Sequence, residues 1–271
     1  MDALQQIGLR HPRIKQVRHI TGSNARSPRQ LLLAEGLWAH QVLVDLDAAI
    51  QMFLWCPEAA YSPEAHALSA QVTARARCAY RISPRVLDRL CERERPEGMV
   101  SLVALPAWDA DRIELRAEAL VLVADAIEIP GNLGTLLRTI DACGADCLIL
   151  TNRRTRLSHP KVFRGSRGMN LRVPVIEFAE PAGAARWLRD RGFAVFLATV
   201  SPDATPYQQA AFGRRTAVVV GNERNGITPS WLEHATDKIT IPMHGRADSL
   251  NVAVSASILM YGVRERRDHG R

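Results

Sequence analysis

Two stretches of the chain show the same rhythm, in which short apolar runs alternate with amphipathic ones. In the first stretch, Leu31, Leu32, Leu33 and Leu37 are spaced as on one face of a helix, and residues 30–38 are predicted helical, continuing through Val42 and Leu43. Residues 52–55 form an apolar run stopped by Pro57, which predicts a strand. Residues 63–76 are alanine-rich and read as a helix. Residues 84–91 read as a second helix, with Val86, Leu87 and Leu90 on one side. Residues 99–105 read as a closing strand. The stretch 1–106 is therefore expected to be a small α/β domain. Pro106-Ala-Trp-Asp-Ala-Asp111 interrupts the rhythm, and a linker is placed at 107–116.

The second stretch, 117–271, repeats the alternation. Strands are predicted at 120–124, 147–150, 193–198, 217–220 and 239–241. Helices are predicted at 133–143, with Leu136, Leu137 and Ile140 on one face, at 181–191, and at 229–235 behind a leading proline. A final helix is predicted at 250–264, capped by Ser249. Fully apolar strands separated by helices imply a parallel sheet covered on both faces. Ligands of such sheets bind at the carboxyl ends of strands. The loops after Ala124, Ala198, Val220 and Ile241 are thus the candidate site.

Composition narrows the class. Of 271 residues, 47% are hydrophobic and 23% charged, which excludes a disordered or collagenous chain. Lys+Arg is 35 against 28 Asp+Glu, a net +7, and only Lys15, Lys161 and Lys238 are lysines. A basic, arginine-rich chain favours anionic partners such as nucleic acid. Arg10, Arg13, Lys15, Arg18, Arg26 and Arg29 stand in the first thirty residues against Asp2 alone. They read either as a solvated helix face or as a phosphate contact. The five cysteines form no Cys-x-x-Cys pair, so neither a disulfide framework nor a zinc site is expected. Reduced thiols, no signal peptide and no apolar run near the ~20 residues of a membrane span lead to a cytoplasmic expectation.

The loop motifs are individually weak. Gly131-Asn132-Leu-Gly134 precedes a helix that carries Arg138, but it lacks Gly-x-Gly-x-x-Gly, and no acid ends the second strand. That argues against a nicotinamide site. Gly221-Asn-Glu223-Arg-Asn-Gly226 has two glycines with no Lys-Ser/Thr after them, so it is not a conventional phosphate loop. Glu223 alone reads as a structural loop acid. Ser249 reads as a helix cap, and Asn251 reads as a backbone partner or a ligand contact. Arg164-Gly-Ser166-Arg-Gly168 suits anion contact or a mobile surface loop.

In order, however, Asn-x-Gly-x-x-x-Arg, Gly-x-Glu-x-x-Gly, and Ile-Pro-Met with Ser-Leu-Asn-Val-x-Val-Ser resemble the three motifs of the SpoU/TrmH family of RNA ribose 2′-O-methyltransferases. The resemblance covers about residues 120–266. Residues 33–36 and 95–100 resemble, more loosely, an N-terminal extension found in rRNA-modifying members. The resemblance implies an α/β fold with a deep trefoil knot, S-adenosylmethionine as cofactor, no metal, and a homodimer. By position it assigns Thr199, Gly221, Ile241 and Leu250 to the cofactor. It assigns Arg138 to the reacting hydroxyl, as base or phosphate clamp, with Asn132, Glu223, Ser249 and Asn251 orienting it. Arginine is an awkward base, because its pKa ordinarily exceeds about 12. Arg10, Arg13, Lys15, Arg18, Arg164 and Ser166 are the expected RNA contacts, with Arg167 a departure at a variable place. The apolar stripe Val252, Ala256, Leu259 and Val263 is left to core or interface use. The expected substrate is rRNA, most specifically 23S rRNA. A tRNA substrate, or a non-catalytic RNA-binding factor on the same fold, is the alternative.

Overall fold

The computed structural model describes residues 4–21, 30–91 and 96–269. Arg26, Arg29 and Arg95 lie outside the described residues. The chain forms two compact units, Met1–Pro106 with Leu157–Phe163, and Ala107–Arg156 with Arg164–Arg271.

The first unit opens on helix α1 (Pro12–Thr21), whose Ile14 and Val17 are buried while Arg13, Lys15 and Arg18 are exposed. Strands β1 (Leu31–Glu35), β2 (Ile50–Trp55), β3 (Ala79–Arg81) and β4 (Met99–Ala104) follow, with helices α2 (Leu37–Asp45), α3 (Pro63–Arg75) and α4 (Pro84–Leu90) between them. The sheet order is β1-β4-β2-β3. Strand β4 runs antiparallel to β1 and β2, and β3 lies parallel to β2.

The expected helix at 30–38 is a strand followed by a helix. Every residue of β1 is buried, and five consecutive buried positions fit a strand covered on both faces better than a surface helix. Gly36 separates the two elements at φ 84, a left-handed conformation that glycine adopts without a Cβ penalty.

In the second unit, β5 (Leu120–Asp125), β6 (Cys147–Thr151), β7 (Val175–Phe178), β8 (Ala194–Ala198), β9 (Thr205–Pro206), β10 (Thr216–Val220) and β11 (Asp237–Thr240) form one sheet in the order β7-β6-β5-β10-β8-β11-β9. Every strand pairing in it is parallel. The α/β expectation therefore holds. Strands β7 and β9 lie outside the sequence expectation, being short and partly polar. Helices α5 (Pro130–Ala142), α6 (Pro160–Ser166), α7 (Pro181–Asp190) and α8 (Val252–His269) follow in chain order, α6 with its first four residues counted to the first unit, and 229–235 is realised as a 3-10 helix, Pro229–His234. The Arg164 segment is accordingly the end of a helix rather than a mobile loop. Val121, Val123, Ile149, Val195, Leu197, Val219, Trp187 and Trp231 form a core on one side of the sheet. The stripe Val252, Ala256, Leu259 and Val263 is buried within the chain, so it serves the core.

Candidate cofactor and catalytic site

A parallel sheet brings all its carboxyl ends to one edge. Registers such as Val220 opposite Ala124 and Thr151 opposite Asp125 align the ends of β5, β6 and β10 there. A buried carboxylate organises this edge. Asp125, 0% exposed, accepts from the Thr151 hydroxyl at 2.8 Å, from Asn152 Nδ2 at 2.9 Å and from the Thr228 amide at 2.7 Å. It thereby ties the end of β6 and the far side of the 221–228 loop to β5. Asn222 adds a second tie, donating from Nδ2 to the Ala126 carbonyl at 2.9 Å and accepting the amides of Arg224 and Asn225. Gly221 passes so close to the returning chain that a Cβ would lie 2.2 Å from the Gly226 carbonyl carbon. Only glycine fits that crossing.

The loops enclose a cavity of about 530 Å³, within the usual range of small-ligand sites. All four residues assigned to the cofactor line it: Thr199 after β8, Gly221 after β10, Ile241 after β11, and Leu250 before α8. Glu223, Ser249 and Asn251 line it as well. Met243, Val252 and Ser255, which stand in the third motif, line it too, whereas Ile129 and Val200 belong to the lining without standing in any of the three motifs. Nothing in their spacing marks them, because they come together only when the loops fold. Asp125 carries a legible signal, an acid at the end of an otherwise apolar strand.

Asn132 does not cap its helix. Helix α5 begins at Pro130, so Asn132 lies inside the first turn and its side chain points to partners far along the chain. Its Nδ2 donates to Glu223 Oε1 at 2.7 Å, and its Oδ1 accepts from Asn251 Nδ2 at 3.2 Å. Asn251 Oδ1 accepts the Ala253 amide at 2.9 Å, which makes Asn251 the cap of α8. Ser249 is not that cap. The helix starts at Val252, and the exposed Ser249 hydroxyl donates to its neighbour Asp248 at 3.4 Å. Three residues separated by up to 119 positions thus form one relay, Glu223–Asn132–Asn251. Glu223 Oε2 is buried and has no hydrogen-bond partner among the described residues. An unsatisfied buried carboxylate oxygen is costly, so this position suits a donor that arrives with a ligand.

Arg138 is exposed on α5 and does not line the cavity. Six residues along a helix is a rotation to about 120° from Asn132, which turns the two side chains to different sides. Helix α5 lies alongside α8, joined by the Thr139 and Ser257 hydroxyls at 2.8 Å and by Arg264 Nε on the Cys143 carbonyl at 2.8 Å. Exposed Val254 and Tyr261 occur one heptad apart on α8.

In the first unit, Arg10, Arg13, Lys15 and Arg18 are exposed, as a phosphate-contacting face requires. Arg164 is half-buried. Ser166 is 0% exposed, with its hydroxyl donating to Asn170 Oδ1 at 3.3 Å. It shapes the end of α6 and is withdrawn from direct contact with RNA.

A parallel α/β unit with a loop-built cavity at its strand ends, lined by apolar walls and a short polar relay, defines a small-molecule-binding enzyme domain. The chain belongs to the SpoU rRNA methylase family, which residues 119–261 match. Residues 11–101 match the MRM3-like substrate binding domain. A Bacillus subtilis 23S rRNA guanosine 2′-O-methyltransferase is 32% identical over 68% of this chain and 72% of that protein. A Streptomyces viridochromogenes 23S rRNA uridine 2′-O-methyltransferase is 31% identical over 70% of this chain and 68% of that protein. The crystal structure of the SpoU methyltransferase AviRb from Streptomyces viridochromogenes, in complex with the cofactor AdoMet, superposes with a TM-score of 0.83 at 27% identity, covering 97% of this chain and 100% of that one.

Proposed function

We infer that this protein transfers a methyl group from S-adenosylmethionine to a ribose 2′-hydroxyl of 23S rRNA. The observation that carries the reading is the cavity, where the second and third motifs and the loop after β8 bring Thr199, Gly221, Glu223, Ile241, Leu250 and Asn251 together, with Asn132 of the first motif bonded to Glu223 and Asn251. The residues suit the cofactor. Strand-end backbone groups at Thr199, Gly221 and Ile241 can read an adenine edge, apolar Ile239, Leu250 and Leu259 can flank the ring, and the unpartnered Glu223 Oε2 offers an acceptor to a cationic or hydroxyl-bearing ligand. When bound, S-adenosylmethionine supplies a methyl carbon made electrophilic by its sulfonium.

The chain's own residues then have to align the ribose oxygen and manage its proton. The relay Glu223–Asn132–Asn251 locks the loop after β10 against the starts of α5 and α8, which fixes the cavity wall. Arg138 serves the reacting ribose hydroxyl, as its base or as a clamp on its phosphate. Because it stands outside the cavity of its own chain, we assign it to the site of a second copy in a homodimer. The exposed Val254 and Tyr261 of α8 support such a pairing through that helix. The knotted course of the chain implied by the sequence resemblance is part of the same reading.

The choice of 23S rRNA rests on the two relatives of that name and on the substrate-domain match over residues 11–101. No described helix is long and apolar enough to cross a membrane. No disulfide joins cysteines among the described residues, which supports action in the cytoplasm. The test is a map of 2′-O-methyl sites in total RNA from cells with and without the gene. One 23S site is expected to vanish. Loss of a tRNA site with rRNA unchanged overturns the substrate.

A further inference from the structure

The second unit has another edge, formed by the amino-terminal ends of its strands. Strands of five or six residues at about 3.3 Å each put it roughly 17–20 Å from the cofactor edge. It is arginine-rich. A shallow depression of about 430 Å³ has a floor of Ala117, Gly192, Ala194 and Gly213 and a rim of Arg214 and Arg215. Small residues on the floor leave space for a group as wide as a phosphate.

The rim is held in place from below. Arg215 Nη1 donates to the Arg191 carbonyl at 2.7 Å. Arg267, near the end of α8, donates to the Glu118 carbonyl at 3.0 Å and to the Gly213 carbonyl at 3.1 Å. Its Nε is buried and has no hydrogen-bond partner among the described residues. Burial and the neighbouring Arg264 push its pKa below the usual arginine range. Arg116 and Arg264 both donate to the Gly144 carbonyl beside it.

The acids facing this edge do not neutralise it. Asp146 is taken by Arg116 at 2.8 Å and by the Leu120 amide at 2.8 Å. Asp111 meets Arg191 at 3.6 Å, and Glu118 meets Arg214 only at 3.9 Å. Arg214 keeps 76% of its side chain exposed.

We propose that this edge is a second RNA-contacting surface, which grips phosphates of the substrate away from the reacting ribose. The inference rests on the rRNA reading above. The shape favours a polyanion over a single small anion. Strands β8, β10, β5 and β6 are neighbours at about 4.8 Å spacing, so the arginines extend over roughly 14 Å, several phosphates in length. Arginine's planar fork suits phosphate oxygens.

The experiment measures binding of the full-length protein to a 23S rRNA transcript across a salt series. Arg214→Ala and Arg214→Glu are compared with Arg214→Ala/Arg215→Ala, and thermal melting tracks folding. The exposed Arg214 alone keeps the test valid where the double variant is unstable. For each phosphate that a variant no longer grips, the slope of log K against log salt should fall in magnitude by about 0.7–0.9. Affinity should fall several-fold for the alanine variant and further for Arg214→Glu, with S-adenosylmethionine binding unchanged. Equal affinity and slope in every folded variant, with wild type binding the transcript, overturns this surface alone and leaves the patch to an acidic protein. Failure of the wild type to bind rRNA overturns both readings.

Discussion

The two units answer one strand–helix rhythm with different sheets. In the second unit every pairing is parallel, so every carboxyl end faces one edge and four separate loops converge on one cavity. In the first, β4 runs against β1 and β2, which sends loops to both edges. Its buried polar chemistry is structural. His40, 0% exposed, donates from Nδ1 to the Gly36 carbonyl at 2.8 Å and accepts the Ser101 hydroxyl at Nε2, 2.9 Å away. A carbonyl can only accept, so the proton sits on Nδ1. The charge of this unit is carried outside instead, on α1. Strand direction therefore governs where chemistry collects. The parallel unit gathers backbone groups into a pocket, and the mixed unit presents a charged outer face.

The largest expected effect tests the catalytic side of this division. Arg138→Ala should lower single-turnover methyl transfer by at least the ~10²–10⁴-fold of a missing proton-transfer group, with folding and cofactor binding kept. Arg138→Lys should also be severely impaired, since it loses the planar fork. Activity of Arg138→Ala within a few fold of wild type would remove the residue from the mechanism.

The next effect belongs to the mixed unit. Burial holds His40 down at about 4, below the ordinary 6.5. The folded state therefore binds its proton less readily than the unfolded chain does. Stability is fully present above pH 6.5 and drains as pH falls from 6.5 toward 4. At about 1.4 kcal/mol per pH unit, the loss is about 3 kcal/mol. Urea titrations of wild type and His40→Gln at about pH 7 and about pH 4 measure it. An equal pH dependence in the two proteins would exclude His40 as the cause.

Gly221→Ala probes the closed loop. Its Cβ would collide with the Gly226 backbone, and overpacking of that kind costs about 1–3 kcal/mol. A lower melting temperature and weaker S-adenosylmethionine binding by calorimetry are expected. Wild-type values for both would show that the loop has room to spare.

The smallest effect lies on α1. Arg13→Ala/Lys15→Ala/Arg18→Ala should weaken binding of a 23S rRNA transcript about tenfold or less and flatten its salt slope, without touching cofactor binding. An unchanged slope would reduce this face to solvated charge.

Apolar runs make five of the seven strands of the second unit legible and two of the four in the first, because a buried strand must be apolar whatever surrounds it. The ordered motifs make the cavity legible, and Thr199, Gly221, Ile241 and Leu250 all line it. Sequence and structure part where two periods compete or where partners are remote. Leu31–Leu33 fit both a helix face and a doubly covered strand, and only pairing with β4 selects the strand. Ser249 has the right chemistry for a cap, yet Asn251 has the position, because the chain enters α8 two residues later. Ser166 has the chemistry of an anion contact, but the end of α6 buries it.

Side-chain solubility and backbone freedom are local, and they suffice to mark the strands and helices that have a single apolar solution. They also mark the loops that bear glycine and polar side chains, and the excess of arginine over acid can be counted directly. The parallel and mixed sheets, the relay from Glu223 through Asn132 to Asn251, and the outward turn of Arg138 arise only once the elements pack. So does the gathering of arginines beside β5, β10 and α8 at one edge. Each of these depends on hydrogen bonds and packing between residues up to 149 positions apart, and no local preference encodes such a meeting.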